Sequence, residues 1–441
     1  MRRKTVIFDQ LLETINELPL VDCHDHTNKA GPVLKDPIHT LVEGYFFTDL
    51  ASVISDEATA FVTNTEIPWE DRWPMLEKAW RLTKNTGYGM MLKKVLREFY
   101  GSDELTIETM RSMEGRLLQL EDPQVFEDIL EKANIKIRLA DIWEDPYVDG
   151  KPAQESVLDG TLRMAPRAKL TIPLRDYHRV FSYEDIQSHM KPLKRTVTSL
   201  DEYLAGCFEI FKAYKRFGAV AFKDQTAYRR RLNYGNPTKG DAEKIFNFYL
   251  SNQRTAEQFP GSRQALDDYL FHELLRMARE IDLPVQLHTG LLAGTRQDVS
   301  GANAILLAPI LEQHRDVRFD LFHANWPYGG EWLFLGKNYP NVYLNFCWAN
   351  IIDPLYCQNL FQQAISCVPA GKIFLFGADL GGYATHAWAH AQMARENLAI
   401  ALSNLVEIDY LSTDEAKDIA ILWCYENPVN FFNLDLHEFS S

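Results

Sequence analysis

Leu20-Val21-Asp22-Cys23-His24-Asp25-His26 is the stretch on which the reading of the chain turns. It follows Leu18-Pro19 and runs out into polar and Gly-Pro residues, the pattern of a buried strand that empties into a loop. Side chains alternate along a strand, so His24 and His26 point the same way, with Asp22 below them. Two imidazoles on one face at a strand end are half of a metal site. The other half must come from elsewhere in the chain.

Upstream, residues 5–17 carry apolar side chains at helical spacing and predict a short amphipathic helix. Downstream, residues 40–133 are helical in pattern throughout, with no strand-like run. That is too long for a simple connection and predicts a helical insertion after the first strand, lying over the end that carries His24 and His26. Apolar runs then alternate with helices, at 135–141, 169–175, 219–223, 283–288, 317–323, 341–346 and 372–379. With the run at 19–25 they predict the eight strand–helix units of a (β/α)8 TIM barrel, an α/β fold, in one domain over 1–441. A doubly wound open sheet is the alternative, but it would carry a Gly-rich phosphate loop where this chain has two histidines.

The 441 residues include 61 acidic and 46 basic side chains, a formal charge of −15. This argues against nucleic acid or an anionic membrane as partner, and it leaves a small-molecule substrate open. The six cysteines are scattered, with no CxxC pair, which suits a reduced, cytoplasmic protein. No signal peptide and no apolar run of about 18 residues is seen. Assembly into a homo-oligomer is left open.

In a barrel of this kind the chemistry sits at the C-terminal ends of the strands. Of 12 histidines, His24, His26, His288 and His323 fall at such ends, as do Lys223 and Asp379. Any one of them has a plain structural reading: a hydrogen-bonding histidine, a helix-capping aspartate, or a lysine paired with Asp224. Their coincidence fits a nitrogen-rich, one-oxygen shell for a divalent metal. Zn²⁺ is the expected ion, though Mn²⁺ and Fe²⁺ accept the same donors. Such an ion lowers the pKa of bound water from near 16 to about 7–9, so that hydroxide can attack an amide, ester or lactone. Asp379 is the natural proton carrier. Arg175 and the run Tyr228-Arg-Arg-Arg231, with Arg230 at its centre, suit a carboxylate-bearing substrate, or else form a solvated basic helix start. Trp326 and Trp348 either line the pocket or pack over the barrel rim.

The order His24-x-His26, Lys223, His288, His323, Asp379 resembles the amidohydrolase superfamily. The segments Pro284-Val-Gln-Leu-His-Thr-Gly290, Leu321-Phe-His-Ala-Asn-Trp-Pro-Tyr328 and Tyr339-Pro-Asn-Val-Tyr343 are most similar to its amidohydrolase-related (amidohydrolase 2) branch. The helical insertion gives a weaker similarity to uronate isomerases of the same superfamily. The resemblance implies a metal-dependent hydrolase with one or two ions. His24, His26, His288 and Asp379 would be ligands, and His323 a ligand of a second ion or a polariser of the substrate carbonyl. A Lys223 carboxylated by CO₂ would bridge two ions; an uncarboxylated ammonium would pair with Asp224 or a substrate anion. Decarboxylation of an aromatic acid and isomerisation of a sugar acid are the alternatives on the same site.

Overall fold

The computed structural model describes residues 6–26, 29–252 and 258–435. Eight parallel strands run in chain order around one sheet. They are β1 (Leu20–Asp25), β2 (Ile135–Ala140), β3 (Ala168–Pro173), β4 (Ala221–Asp224), β5 (Val285–Leu287), β6 (Phe319–Leu321), β7 (Val342–Asn345) and β8 (Ile373–Phe374). The ring closes between β1 and the segment after β8. Cys23 N–H donates to Phe376 C=O at 3.1 Å, and Asp379 N–H donates to His24 C=O at 3.0 Å. This is the (β/α)8 barrel that the alternation of strands and helices predicts.

The outer helices form for ordinary reasons. Leu200–Phe217, which leads into β4, buries Tyr203, Cys207, Ile210, Phe211 and Tyr214, a stripe at helical spacing. Ser199 caps its first turn, and Gly218, at φ 110°, ends it in a left-handed turn. Inside the barrel, Val21, Cys23, Ile137, Leu139 and Phe374 pack on Phe431 and Phe432, which plug the N-terminal end. Above them lies a polar layer. Gln286 Nε2 donates to Cys23 C=O at 2.9 Å and to Asp320 Oδ2 at 3.0 Å, and Asn345 Nδ2 donates to the same oxygen at 3.1 Å.

Several strands are shorter than the apolar runs that announce them. Arg175 does not end β3 but opens the short helix Arg175–His178. His288 follows β5, His323 opens the 3-10 turn His323–Asn325, and Asp379 lies well past Phe374. The backbone at His323 and Asp379 has φ of 63° and 53°, a left-handed conformation that no ladder residue adopts. The chain leaves the sheet while its side chains still face the barrel mouth, so an apolar run outlasts its strand.

Between β1 and β2 the described residues form helices from Pro37–Val42 to Pro123–Lys132, with no strand. A buried ion pair pins this insertion: Arg72 donates to Asp36 Oδ2 and to Val62 C=O, while Asp36 Oδ1 caps the helix Pro37–Val42 through His39 N–H. Among the described residues no helix is long and apolar enough to cross a membrane. Breaking a buried pair from one side costs about 3–5 kcal/mol, because the remaining charge keeps its desolvation without its partner. Arg72→Met should therefore destabilise the chain by about that amount in urea unfolding. The double variant Asp36→Asn/Arg72→Met should lose clearly less than the sum of its single changes, because Asn still caps the helix.

Candidate metal centre

His24 lies on β1 and His26 just past its end, and both Nε2 atoms reach the same oxygen. Asp379 Oδ1 lies 3.5 Å from His24 Nε2 and 3.3 Å from His26 Nε2. The other carboxylate oxygen, Oδ2, lies 3.8 Å from His323 Nε2. His323 Nε2 is in turn 3.0 Å from His288 Nδ1. Four imidazoles and one carboxylate from the ends of strands one, five, six and eight thus converge. Lys223, on β4, is buried beside them with no hydrogen-bond partner for its Nζ, which sits 4.5 Å over the Phe322 ring.

Asp379 is placed by β1 itself. Asp22 Oδ1 accepts from Ala378 N–H at 2.8 Å, and Asp25 Oδ1 accepts from Leu380 N–H at 3.2 Å and Gly381 N–H at 2.9 Å. Three residues of the site, His323, Trp348 and Asp379, have positive φ. Such strain costs of order 1–3 kcal/mol each and persists only where the surroundings hold it.

The donor chemistry fits a divalent cation. His323 Nδ1 is 2.9 Å from Cys347 C=O, and His288 Nε2 is 2.8 Å from Leu291 C=O. A carbonyl only accepts, so each of these nitrogens carries the ring proton. Burial, assisted at His288 by His323, holds His288 well below the usual histidine range, and burial takes His323 down to about 4. Both rings are neutral near pH 7, so His323 Nε2 and His288 Nδ1 face each other as bare lone pairs. Two lone pairs at that distance repel unless a cation draws both. His24, also held well below its ordinary range by burial and then by Lys223, keeps a buried Nδ1 without a hydrogen-bond partner.

His26 behaves differently. Burial opposes its charge, but the hydrogen bond and charge of Asp379, joined by Asp141, outweigh it and raise the ring to about 9. Asp379 is desolvated too, yet His26 holds it below the usual carboxylate range. Burial pushes Lys223 down from the usual lysine value.

Asp141, the residue after β2, touches His26 from the other side: His26 Nδ1 lies 3.2 Å from its C=O and 3.8 Å from Oδ2. Gln225 Nε2 donates to Asp141 Oδ2 at 2.7 Å, and Arg175 Nη1 donates to Gln225 Oε1 at 3.2 Å. The Arg175 guanidinium also lies 5.1 Å over the ring of Trp143, an exposed residue whose ring is 5.6 Å from His26. Arg175 therefore belongs to the rim of the centre. Arg230 does not: it donates to Asp268 Oδ1 at 2.6 Å and stacks on Tyr234. Tyr228 packs against the His288 ring at 4.7 Å, its hydroxyl accepting from Ala293 N–H. Trp348 meets the His323 ring edge-on at 5.3 Å and carries Tyr45 of the insertion stacked on its other side at 4.2 Å. Trp326 and Trp348, with Tyr88 and Thr48 of the insertion, line a cavity of about 210 Å³.

Sequence reasoning missed Asp141, Gln225, Cys347 and the insertion tyrosines. Asp141 carried a signal, since taking the last residue of the second apolar run yields it.

Residues 212–434 match the amidohydrolase family model. The chain belongs to the amidohydrolase family, in its amidohydrolase-related branch. Amidohydrolase-family membership makes it a metal-dependent enzyme of that superfamily. Protein fluG of Emericella nidulans is 23% identical over 227 residues, 49% of this chain and 26% of fluG, so this chain spans about a quarter of that relative. Among solved structures, glucuronate isomerase from Caulobacter crescentus is 16% identical with a TM-score of 0.75, over 97% of this chain and 94% of that one. Uronate isomerase from Thermotoga maritima is 14% identical with a TM-score of 0.74, over 97% of both chains. A Lactobacillus casei protein proposed to be a metal-dependent hydrolase is 18% identical with a TM-score of 0.65, over 96% and 97%. At these identities the likeness speaks for the fold alone.

The charge state of His26 sets a pH dependence. With its proton held up to pH about 9, an incoming ion must displace that proton at neutral pH. The His26 proton should therefore contribute about a tenfold rise in zinc affinity per pH unit from pH 6, measured by chelator competition, and that contribution should fade as pH nears 9. His323, neutral above about pH 4, adds no slope in that window. A flat profile would contradict this protonation state.

Proposed function

We propose that this amidohydrolase adds water across a C–N or C–O bond of a small, carboxylate-bearing substrate. One observation carries the reading: Asp379 is an ionised carboxylate whose two oxygens face two separate imidazole groups. His24, His26, His288, His323 and Asp379 would hold a divalent ion, Zn²⁺ on this donor set, and Lys223 would join them once carboxylated. When bound, such an ion makes water nucleophilic near neutral pH and polarises a carbonyl. Asp379 takes the proton of the attacking water on a carboxylate oxygen and passes it to the leaving amine or alcohol. His323 cannot polarise a carbonyl by hydrogen bonding, because its Nε2 has no proton to give. That favours the ligand role for His323. Lys223, without a hydrogen-bond partner and lowered by burial, gains access to the neutral amine that CO₂ carboxylates. Arg175, lying over Trp143 beside His26, would pair with the substrate carboxylate.

A second reading is favoured by the likeness of the whole chain, insertion included, to uronate isomerases. There Asp379 would move a proton between substrate carbons and no water would be added. Incubation in ¹⁸O-water separates the two: hydrolysis of a lactone, ester or amide acid places one label in the product, whereas isomerisation of a uronate gives an isobaric, unlabelled one.

Asp379→Asn keeps shape and an oxygen but loses the base. Turnover should fall about 10²–10⁴-fold, while metal content measured by mass spectrometry falls far less, since the imidazoles remain. Near-normal turnover of the metal-loaded variant would remove Asp379 as the proton carrier.

A further inference from the structure

Cys347 is fully buried just beyond β7, and its backbone is fixed on both sides. Its N–H donates to Asn345 Oδ1 at 2.9 Å, and its C=O accepts from His323 Nδ1 at 2.9 Å. Trp348 N–H, next along, donates to Gly377 C=O at 2.9 Å. Glycine at 377 makes the room for the thiol, since a Cβ there would come within 2.6 Å of Sγ. Cys347 Sγ, a ring nitrogen of His323 and a carboxylate oxygen of Asp379 all lie within 4.8 Å of one another, and all three residues are buried. His323 Nδ1 is already committed to the Cys347 carbonyl, so Nε2 is the nitrogen on offer. That nitrogen lies 3.0 Å from His288 Nδ1, so the two imidazoles present their ring nitrogens to the same point. Among the described residues no other cysteine sits in such a group.

We propose that Cys347 Sγ is a metal ligand, joining His323 and Asp379 to hold an ion beside the His24–His26 pair. The inference rests on the metal-dependent reading above and adds a soft donor to it. The thiol gives up its proton to solvent as the sulfur–metal bond forms. A thiolate prefers Zn²⁺ and related thiophilic ions to Mg²⁺ or Mn²⁺, so the centre discriminates against hard cations by its donor set.

Loading the full chain with Co²⁺ tests this. Visible d–d absorption reports ion binding, and near-ultraviolet thiolate-to-cobalt absorption reports the sulfur bond. Wild type should show both; Cys347→Ser should keep the visible bands and lose the near-ultraviolet one. Visible bands without the near-ultraviolet band in wild type, or a near-ultraviolet band that survives in Cys347→Ser, overturns the proposal and leaves the metal-dependent reading standing. No cobalt absorption at all overturns both. Zinc-edge X-ray absorption on the wild type requires no variant to fold: a sulfur scatterer at about 2.3 Å is expected, and a shell of nitrogen and oxygen alone overturns the assignment of Cys347.

Discussion

The centre depends on two carboxylates of β1 that accept backbone N–H groups from the loop after β8. Asp22 holds Ala378, and Asp25 holds Leu380 and Gly381. A hydrogen bond contributes about 0.5–1.5 kcal/mol, while the positive φ of Asp379 costs about 1–3 kcal/mol. Several such bonds together exceed the strain, so the loop stays where the carboxylate of Asp379 faces the imidazoles of its neighbouring strand. β8 itself pairs with β7 through only Leu344 with Ile373 and Asn345 with Phe374. The ladder is too short to place a residue so far beyond it, and the side chains of β1 take over that role.

Burial then sets the protonation of the centre. Each imidazole loses solvent and is pushed toward neutrality, and so is Lys223. Asp379 opposes this at His26 and His323, but its effect is large enough only at His26. That ring has Asp141 on its far nitrogen as well, and the two carboxylates together outweigh its burial. Three of the histidines are therefore already neutral, and His26 alone keeps a second ring proton.

How much of this was legible follows from what each signal requires. His24 and His26 could be found because alternation along a strand is local. His288, His323 and Asp379 could be found because a barrel returns each strand end to the same mouth. The strand limits at 175, 323 and 379 could not, because hydropathy does not distinguish a residue in the ladder from one lining the mouth above it. Arg230 could not either: its partner Asp268 lies on the helix Gln264–Glu280, and nothing local to Tyr228–Arg231 marks that it turns away from the centre. Cys347 could not, because a lone scattered cysteine carries no spacing motif and speaks only to redox compartment.

The insertion is the part with the least sequence signal and a direct hold on the site. Its helix Gly87–Tyr100 sits so close to the short helix Ala349–Ile352 after β7 that a Cβ on Gly87 would fall 2.1 Å from Ile351 C=O. That approach brings Tyr88 to the cavity beside Trp348, with Tyr45 between them in the stack. Trp348 touches His323, so the contact chain from Tyr45 of the insertion to His323 runs through one ring. The barrel brings the candidate donors together at its mouth. The wall that the insertion gives to the cavity beside Trp348 is set by where its helices rest, and hence by Gly87 and by the Arg72–Asp36 pair that holds the helices together. Differences of substrate between barrels with this ligand set should therefore track the insertion and not the strands.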